Sequence, residues 1–144
     1  MKNRYSVVFC LLALVVACSK DNQGKPSLSI ESITSIVPAG GNMEAKIKFT
    51  QNNGKLSGGT FVAIRNRLNQ TPLPPSEQPV DTITGPIPTF PDKNKGDMVF
   101  TLPWVFLHES DIENDTIVFK FAAIDTDNHS SDTVVSEKIV ILFQ

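Results

Sequence analysis

The chain contains two histidines, and both lie in polar stretches typical of loops. His129 is followed by residue types that form the triad of a serine hydrolase, Ser130, Ser131 and Asp132. Adjacent residues of one loop rarely form a triad, because base and nucleophile must converge from separate places on a rigid scaffold. His108 accompanies no nucleophile motif such as Gly-x-Ser-x-Gly. We therefore predict that the protein is not an enzyme.

Carboxylates are the next residues that could do chemistry, as ligands of a metal ion. Eight of them lie between residues 109 and 137, where Lys120 is the one basic residue. Calcium prefers many oxygen ligands, but the polar loop in this segment lacks the glycine and the glutamate of an EF-hand. A strand of about ten residues would also carry the two acidic loops to opposite ends of a sheet. Calcium binding is thus an alternative to plain solvated loops, with weak candidate ligands Asp125, Asp127 and Asp132.

Cys18 lies where an apolar run ends and a polar stretch begins. Lys2 and Arg4 precede the run, and residues 6–16 are mostly apolar but too few to span a membrane comfortably. A basic start and a short apolar run are the pattern of a secretory signal peptide, which takes no part in the fold. A membrane anchor or a buried core helix is the alternative for this segment.

The residues at this border, Val15-Val16-Ala17-Cys18, resemble a bacterial lipobox. The resemblance implies that a diacylglyceryl group is attached to the Cys18 sulfur and that cleavage leaves Cys18 as the acylated N-terminus. Two or more acyl chains anchor a protein stably, so this cysteine would hold a domain on a membrane without a spanning helix. We predict a signal peptide at residues 1–17 and, apart from the covalent lipid on Cys18, no cofactor.

Residues 18–26 comprise this cysteine and a polar segment without periodicity, which indicates a flexible tether. Ser19 resembles the residue that follows the cysteine in lipoproteins sorted to the outer membrane, and residues 20–22 loosely resemble a charged surface-export signal. The resemblance implies a lipid anchor in the outer membrane, at its periplasmic face or at the cell surface. An ordinary solvated linker explains the same residues.

The mature chain would contain no thiol, because Cys10 lies in the removed segment and Cys18 carries lipid. We therefore expect no disulfide and no cysteine-ligated metal. Eleven basic residues against fifteen acidic ones make the mature chain acidic, which argues against nucleic acid as a partner. Trp104 is the one tryptophan, and its apolar neighbours favour a place in the core or at its rim over a carbohydrate platform.

Three short matches concern covalent modification. Asp-Thr-aliphatic triplets resemble the O-glycosylation sites of some Gram-negative periplasms, and they would modify Thr82, Thr116 and Thr133. An aspartate that ends a turn and a threonine that begins a strand give the same triplet. Both interpretations stay open from the sequence.

Alternating apolar residues predict most of the strands. The clearest is residues 43–50, where Met43, Ala45, Ile47 and Phe49 face one way and charged residues face the other. Residues 27–37 alternate at first and then break phase near Ile33 and Ile36, which predicts a bulge or a strand that changes sheet. Further strands are expected within residues 58–69, 96–103, 116–126 and 133–143.

One strand face raises a separate question. Arg65 and Arg67 share a face of the strand at residues 58–69. Arginines are mostly exposed, so we expect both on an outer, solvated face, where they could also bind an anion.

Residues 69–95 form the Pro-rich loop, with seven of the ten prolines between Pro72 and Pro91. Proline cannot donate to a strand ladder, so we expect a long loop with at most a short edge strand near residues 80–84. Long loops in small domains are often functional. We therefore expect that residues 72–91 can be deleted without loss of folding but with loss of partner binding.

The last thirty residues comprise a Phe-rich strand, an Asp-Asn-Ser loop and an aliphatic strand. They resemble the final hairpin of bacterial immunoglobulin-like and fibronectin-III-like domains. The resemblance implies that residues 27–144 form an all-β, immunoglobulin-like antiparallel β-sandwich of about seven strands. The predicted function is a lipid-anchored, non-catalytic binding or accessory module of the cell envelope with a protein or glycan partner. The alternative is a calcium- or carbohydrate-binding sandwich module.

Overall fold

The computed structural model describes residues 24–51, 55–74, 81–91 and 93–143. The predicted signal peptide and Cys18 lie outside these ranges. The described residues form nine strands and one short 3-10 turn at Trp104–Phe106. The strands are β1 (Ser27–Ile33), β2 (Ile36–Val37), β3 (Asn42–Thr50), β4 (Thr60–Arg67), β5 (Thr82–Pro86), β6 (Lys95–Pro103), β7 (Asp115–Ile124), β8 (Val134–Val135) and β9 (Ile139–Ile141).

Helices of membrane-spanning length and hydropathy do not occur in the part of the chain that the structure describes.

The strands form two sheets. Sheet A has the order β1-β3-β6, and sheet B has the order β2-β9-β7-β4-β5, with β8 added against β7. Every pairing is antiparallel except that of β2 with β9, which is parallel. Strands β5 and β6 therefore end their sheets, and they flank the same side of the molecule.

The core lies between the two sheets. The inner residues of β3 and β7 are almost fully buried, and they include Met43, Ala45, Ile47, Phe119 and Phe121. Phe100 of sheet A meets Phe119 and Phe121 of sheet B at ring-centroid distances of 5.9 and 5.6 Å. Side chains from two facing sheets thus fill one interior, which confirms the predicted β-sandwich.

The first strand changes sheet as the broken alternation predicts. β1 pairs with β3 in sheet A, with a register shift between Ile30 and Ser32. After Ile33 the chain crosses to sheet B, where β2 pairs with β9. Both the bulge and the sheet change occur, and they place one segment at the edge of each sheet.

The strand predicted at residues 133–143 is divided into β8 and β9. Between them Ser136 binds the backbone of Phe119: its hydroxyl accepts from the Phe119 N–H at 2.9 Å, and its own N–H donates to the Phe119 carbonyl at 2.8 Å. A hydroxyl in place of a carbonyl interrupts the ladder without leaving the backbone of β7 unpaired. Seven of the nine strands have three or more residues, which agrees with the predicted number.

The two ends of the sandwich differ in what they hold. At one end, which we call the entry end, β1 begins. Ser27, Thr50 and Lys95 lie side by side there, because Ser27 pairs with Thr50 and Thr50 pairs with Lys95. The loop at residues 125–132 lies at this same end, where Asp132 forms an ion pair with Lys25. The opposite end, which we call the far end, holds the segment from residue 104 to residue 114.

Part of the Pro-rich loop belongs to the fold. The expected edge strand exists as β5, two residues later than predicted, and it pairs with β4 over five residues. Ile87 follows it and is 2% exposed, packed in the core. Deleting residues 72–91 would remove a strand and a core side chain, so the expectation that the segment is dispensable for folding is wrong. Residues 75–80 lie outside the described ranges.

Candidate functional site

An apolar groove opens along the side of the sandwich between β5 and β6. Its volume is about 630 Å³, within the range of about 300–1,000 Å³ that is usual for small-molecule sites. Aromatic rings form its floor. The ring centroids of Phe61 and Phe100 lie 5.5 Å apart, and those of Phe49 and Phe90 lie 5.2 Å apart. Lys93 and Asp97 are the charged residues of its lining. A mostly apolar cleft with a few polar groups is the usual form of a binding site.

The groove exists because the inner faces of the two edge strands are not covered. Met98 and Phe100 point inward from β6, as the alternation predicts, yet both stay half-buried. Ile83 of β5 is half-buried as well, whereas Ala63 of the neighbouring strand β4 is fully buried. The sandwich is therefore open to solvent on this side and closed over its central strands.

Two glycines shape the groove in opposite ways. Gly96 lets the ring of Phe49 lie over the backbone of β6, since a Cβ there would come within 2.9 Å of the ring carbons. A Cβ at Gly85 would meet no atom within 4 Å, so the space in front of β5 is empty. The groove is therefore open above Gly85.

The far end contains a buried cluster of charged residues. The side chains of Arg65 and Glu109 are each 3% exposed, and Arg65 Nη2 lies 2.9 Å from Glu109 Oε1. Arg67 donates to Asp115 at 2.8 Å and to Glu113 at 3.0 Å. The prediction that Arg65 and Arg67 occupy an outer, solvated face is therefore wrong. The acidic loop before β7 folds back over the end of the core and supplies the carboxylates that form ion pairs with both arginines.

The polar atoms of Asp115 form more hydrogen bonds than those of the Arg65–Glu109 pair. Asp115 is fully buried, and its Oδ2 accepts from the N–H groups of Glu109 and Ser110 at 2.7 and 3.0 Å. Arg65 donates from Nη1 to the Phe106 carbonyl at 2.7 Å. Its Nε and Glu109 Oε1 lack hydrogen bonds in the described structure, because the contact of Arg65 Nη2 with Glu109 Oε1 is an ion pair without hydrogen-bond geometry. Burial raises the pKa of Glu109 above its ordinary value, against the opposing charges of Arg65 and Arg67.

The proposed calcium ligands are engaged separately. Asp125 Oδ1 accepts from the N–H groups of Asp127 and His129 at 2.9 and 2.8 Å, which closes the loop on itself. Asp127 forms an ion pair with Lys55, and Asp132 forms one with Lys25. Across the described ranges, no group of three or more His, Cys, Asp or Glu side chains is arranged to hold a metal ion.

The two histidines lie at opposite ends. His108 stacks on Trp104 at 4.3 Å, and Trp104 Nε1 donates to the Leu142 carbonyl at 2.8 Å, so this pair covers one end of the core as expected for Trp104. His129 Nδ1 lies 3.1 Å from Asp125 Oδ2. The Ser131 hydroxyl accepts from the backbone of Ala123. The triad-like residues thus serve the turn after β7.

The three threonines of the Asp-Thr-aliphatic triplets differ in access. Thr82 and Thr133 are exposed, and the aspartates before them are exposed as well. Thr116 is half-buried and follows the fully buried Asp115. A modifying enzyme would reach the first two triplets in the folded protein and not the third.

No protein-family model and no curated protein matches the chain. Among solved structures, a β-glucosidase from Listeria innocua in complex with glucose is similar at 9% identity and a TM-score of 0.46 over 81% of this chain. The chain spans 16% of that enzyme's length. A cohesin module from a family 33 glycoside hydrolase of Clostridium perfringens is similar at 11% identity and a TM-score of 0.45, over 83% of this chain and 98% of the module. Similarity at this level says nothing about ligand or activity.

Proposed function

We propose that the protein is a lipid-anchored, non-catalytic binding module of the bacterial cell envelope. Its partner is a protein or a glycan, and its binding site is the groove between β5 and β6. The observation that carries this proposal is the groove itself, which exposes aromatic core residues such as Phe61 and Phe100 along an open side of the fold. A mostly apolar cleft of about 630 Å³ that also carries a few polar groups has the usual form of a binding site.

The position of the N-terminal strand supports the anchored orientation. Ser27, the first residue of β1, lies nine positions after Cys18, and this length of chain reaches at most about 32 Å when extended. A lipid on Cys18 would therefore keep the entry end near the membrane, in the outer membrane at its periplasmic face or at the cell surface. The groove runs along the side of the sandwich and stays accessible in this orientation.

A site-specific cross-linking experiment tests the proposed binding site. A photoreactive amino acid replaces Thr84, which is exposed on β5 at the rim of the groove, and in a second strain it replaces Ser29, which is exposed on sheet A away from the groove. We expect discrete cross-linked species in intact cells from the Thr84 position and none of them from the Ser29 position. Identical patterns from the two positions would refute the groove as the binding site.

A further inference from the structure

The outer edge of β6 is regular over its whole length. Nine consecutive residues pair with β3, from Pro103 opposite Asn42 to Lys95 opposite Thr50, without a register shift. Directly beyond the two ends, the N–H of Trp104 donates to Gly41 and the carbonyl of Asn94 accepts from Gln51. Alternate residues of an antiparallel strand bond to the same neighbour, so the even-numbered residues of β6 bond to β3.

The odd-numbered residues of β6 must then direct their backbone groups to the open side. These are Lys95, Asp97, Val99 and Thr101, each with an N–H and a carbonyl, and Pro103 with a carbonyl alone. Within the described ranges β6 pairs with β3 alone. The strand therefore offers a regular edge of four N–H groups, without the bulge or inward charge that commonly protects such edges.

The edge of β5 is different although it faces the same groove. Ile87 and Asp81 bond to β4, which leaves Thr82 and Thr84 with N–H groups toward the open side. Pro86 contributes none. A short edge with a proline is a poor template for another strand, whereas β6 is a good one.

The side chains of β6 agree with the same conclusion. Met98 and Phe100 turn half-exposed faces into the groove, and both lie between backbone groups that face the open edge. A strand added to β6 would direct every second side chain into the groove, over the empty space in front of Gly85. The edge supplies hydrogen bonds and the groove supplies apolar contacts, which is how sheet edges recognise extended peptides.

The charges near the beginning of β6 indicate which end of a bound segment carries an acidic residue. Lys93 lines the entry-end part of the groove and Lys95 begins β6, and in the described structure neither takes part in an ion pair. Asp97 already pairs with Lys46 at 3.1 Å. A segment that runs antiparallel to β6 ends beside these two lysines, so an acidic residue at its C-terminal end is favoured.

We propose that the groove binds an extended segment of a partner protein, which adds to β6 as an antiparallel strand. The segment has apolar side chains at alternate positions and an acidic residue toward its C-terminal end. This inference rests on the proposed function and narrows the protein-or-glycan partner to an extended polypeptide.

Labelled peptides test the inference by fluorescence anisotropy on the intact mature domain. The probe is acetyl-Thr-Val-Thr-Ile-Thr-Val-Thr-Ser-Glu-amide, in which valine and isoleucine face the groove and the glutamate lies opposite Lys95. Two derivatives carry backbone N-methyl groups, one on the third and fifth residues, whose N–H groups would face β6, and one on the fourth and sixth, whose N–H groups would face away. We expect the first derivative to bind at least about tenfold more weakly than the second.

Amide hydrogen exchange supplies an independent readout. Val99 and Thr101 should exchange quickly in the free protein and become protected when the probe peptide is added. Met98 and Phe100 should be protected in both states, because their N–H groups bond to β3. This pattern distinguishes strand addition from binding through side chains alone.

A filled groove gives the matched control. In Gly85→Phe the new side chain enters empty space without a steric conflict at its Cβ, so the variant should fold and should bind the probe at least about tenfold more weakly. In Ser29→Phe the same side chain is added on the outer face of sheet A, and binding should not change. A far-ultraviolet spectrum and a thermal melt of each variant establish that it is folded.

Four results would overturn the inference. Equal binding of the two N-methyl derivatives would show that the edge of β6 is not used. No probe binding together with cross-links at Thr84 would leave the groove as a site for another ligand, and the proposed function would survive. Concentration-dependent protection of Val99 without the peptide would show that a second copy of the chain occupies the edge. Loss of both the cross-links and probe binding would refute the proposed function as well.

Discussion

The replacement of Arg65 by methionine tests the buried charge cluster. It removes the partner that lies 2.9 Å from Glu109 and a hydrogen bond to the Phe106 carbonyl, while Glu109 stays buried. Breaking a buried ion pair on one side costs about 3–5 kcal/mol. Arg67 Nε remains 3.6 Å from Glu109 Oε2, so we expect the lower part of this range, about 3 kcal/mol at pH 7.

The stability lost in Arg65→Met should depend on pH in a defined direction. Burial raises the pKa of Glu109 above 4.5 in the folded protein, so its ionisation opposes folding as the pH rises from 4.5 through the folded-state pKa. Without the charge of Arg65 this pKa rises further. The difference in unfolding free energy between wild type and Arg65→Met should therefore be largest at pH 7 and smaller at pH 5.

Urea denaturation at both pH values measures these differences, and a double variant serves as control. Arg65→Met with Glu109→Leu removes both charges, and we expect a free energy of unfolding within about 1 kcal/mol of wild type, because apolar pairs often replace buried ion pairs without loss. A single variant that loses under about 1 kcal/mol would refute the assigned burial. A double variant as unstable as the single one would refute the assigned pairing.

Three further predictions concern other parts of the chain. Ile87→Ala should lower the free energy of unfolding by about 2–4 kcal/mol, measured in urea, whereas Thr89→Ala on the exposed side of the same segment should change it by less than about 0.5 kcal/mol. Burial tends to raise the pKa of Asp125, but hydrogen bonds from His129 and Asp127 outweigh it and hold the pKa below 3.8. The ionised carboxylate therefore stabilises the fold above that pH. In urea denaturation, Asp125→Asn should lower the free energy of unfolding by about 1–2 kcal/mol at pH 7. The difference from wild type should shrink as the pH falls through the folded-state pKa. If the envelope glycosylates this protein, Thr133→Ala should remove a glycan detected by mass spectrometry and Thr116→Ala should not.

The sequence predicts those parts of the fold that depend on local alternation. The residues of β3 alternate without a break, so the inner positions of Met43 to Phe49 follow from the period of a strand alone. The broken phase near Ile33 predicts the change of sheet for the same reason. The division of the last strand at Ser136 depends on a bond to Phe119 across the sheet, and alternation holds no information about it.

The site is less predictable because it depends on which strands are neighbours. The shared face of Arg65 and Arg67 is correct, but its direction depends on a loop some forty residues later that brings Glu109 and Asp115 to the same end. The groove likewise exists because β5 and β6 end their sheets on one side. A polar arginine in an apolar strand, followed later by clustered acids, is the signal that could have indicated the buried cluster.

The most direct test of the proposed envelope role is the intact mass of the protein purified from the membranes of its own cells. We expect a chain that begins at Cys18 and carries the added mass of two or more acyl chains, and a Cys18→Ser variant that leaves the membrane fraction. A chain that retains residues 1–17, or a Cys18 without lipid, would contradict the account.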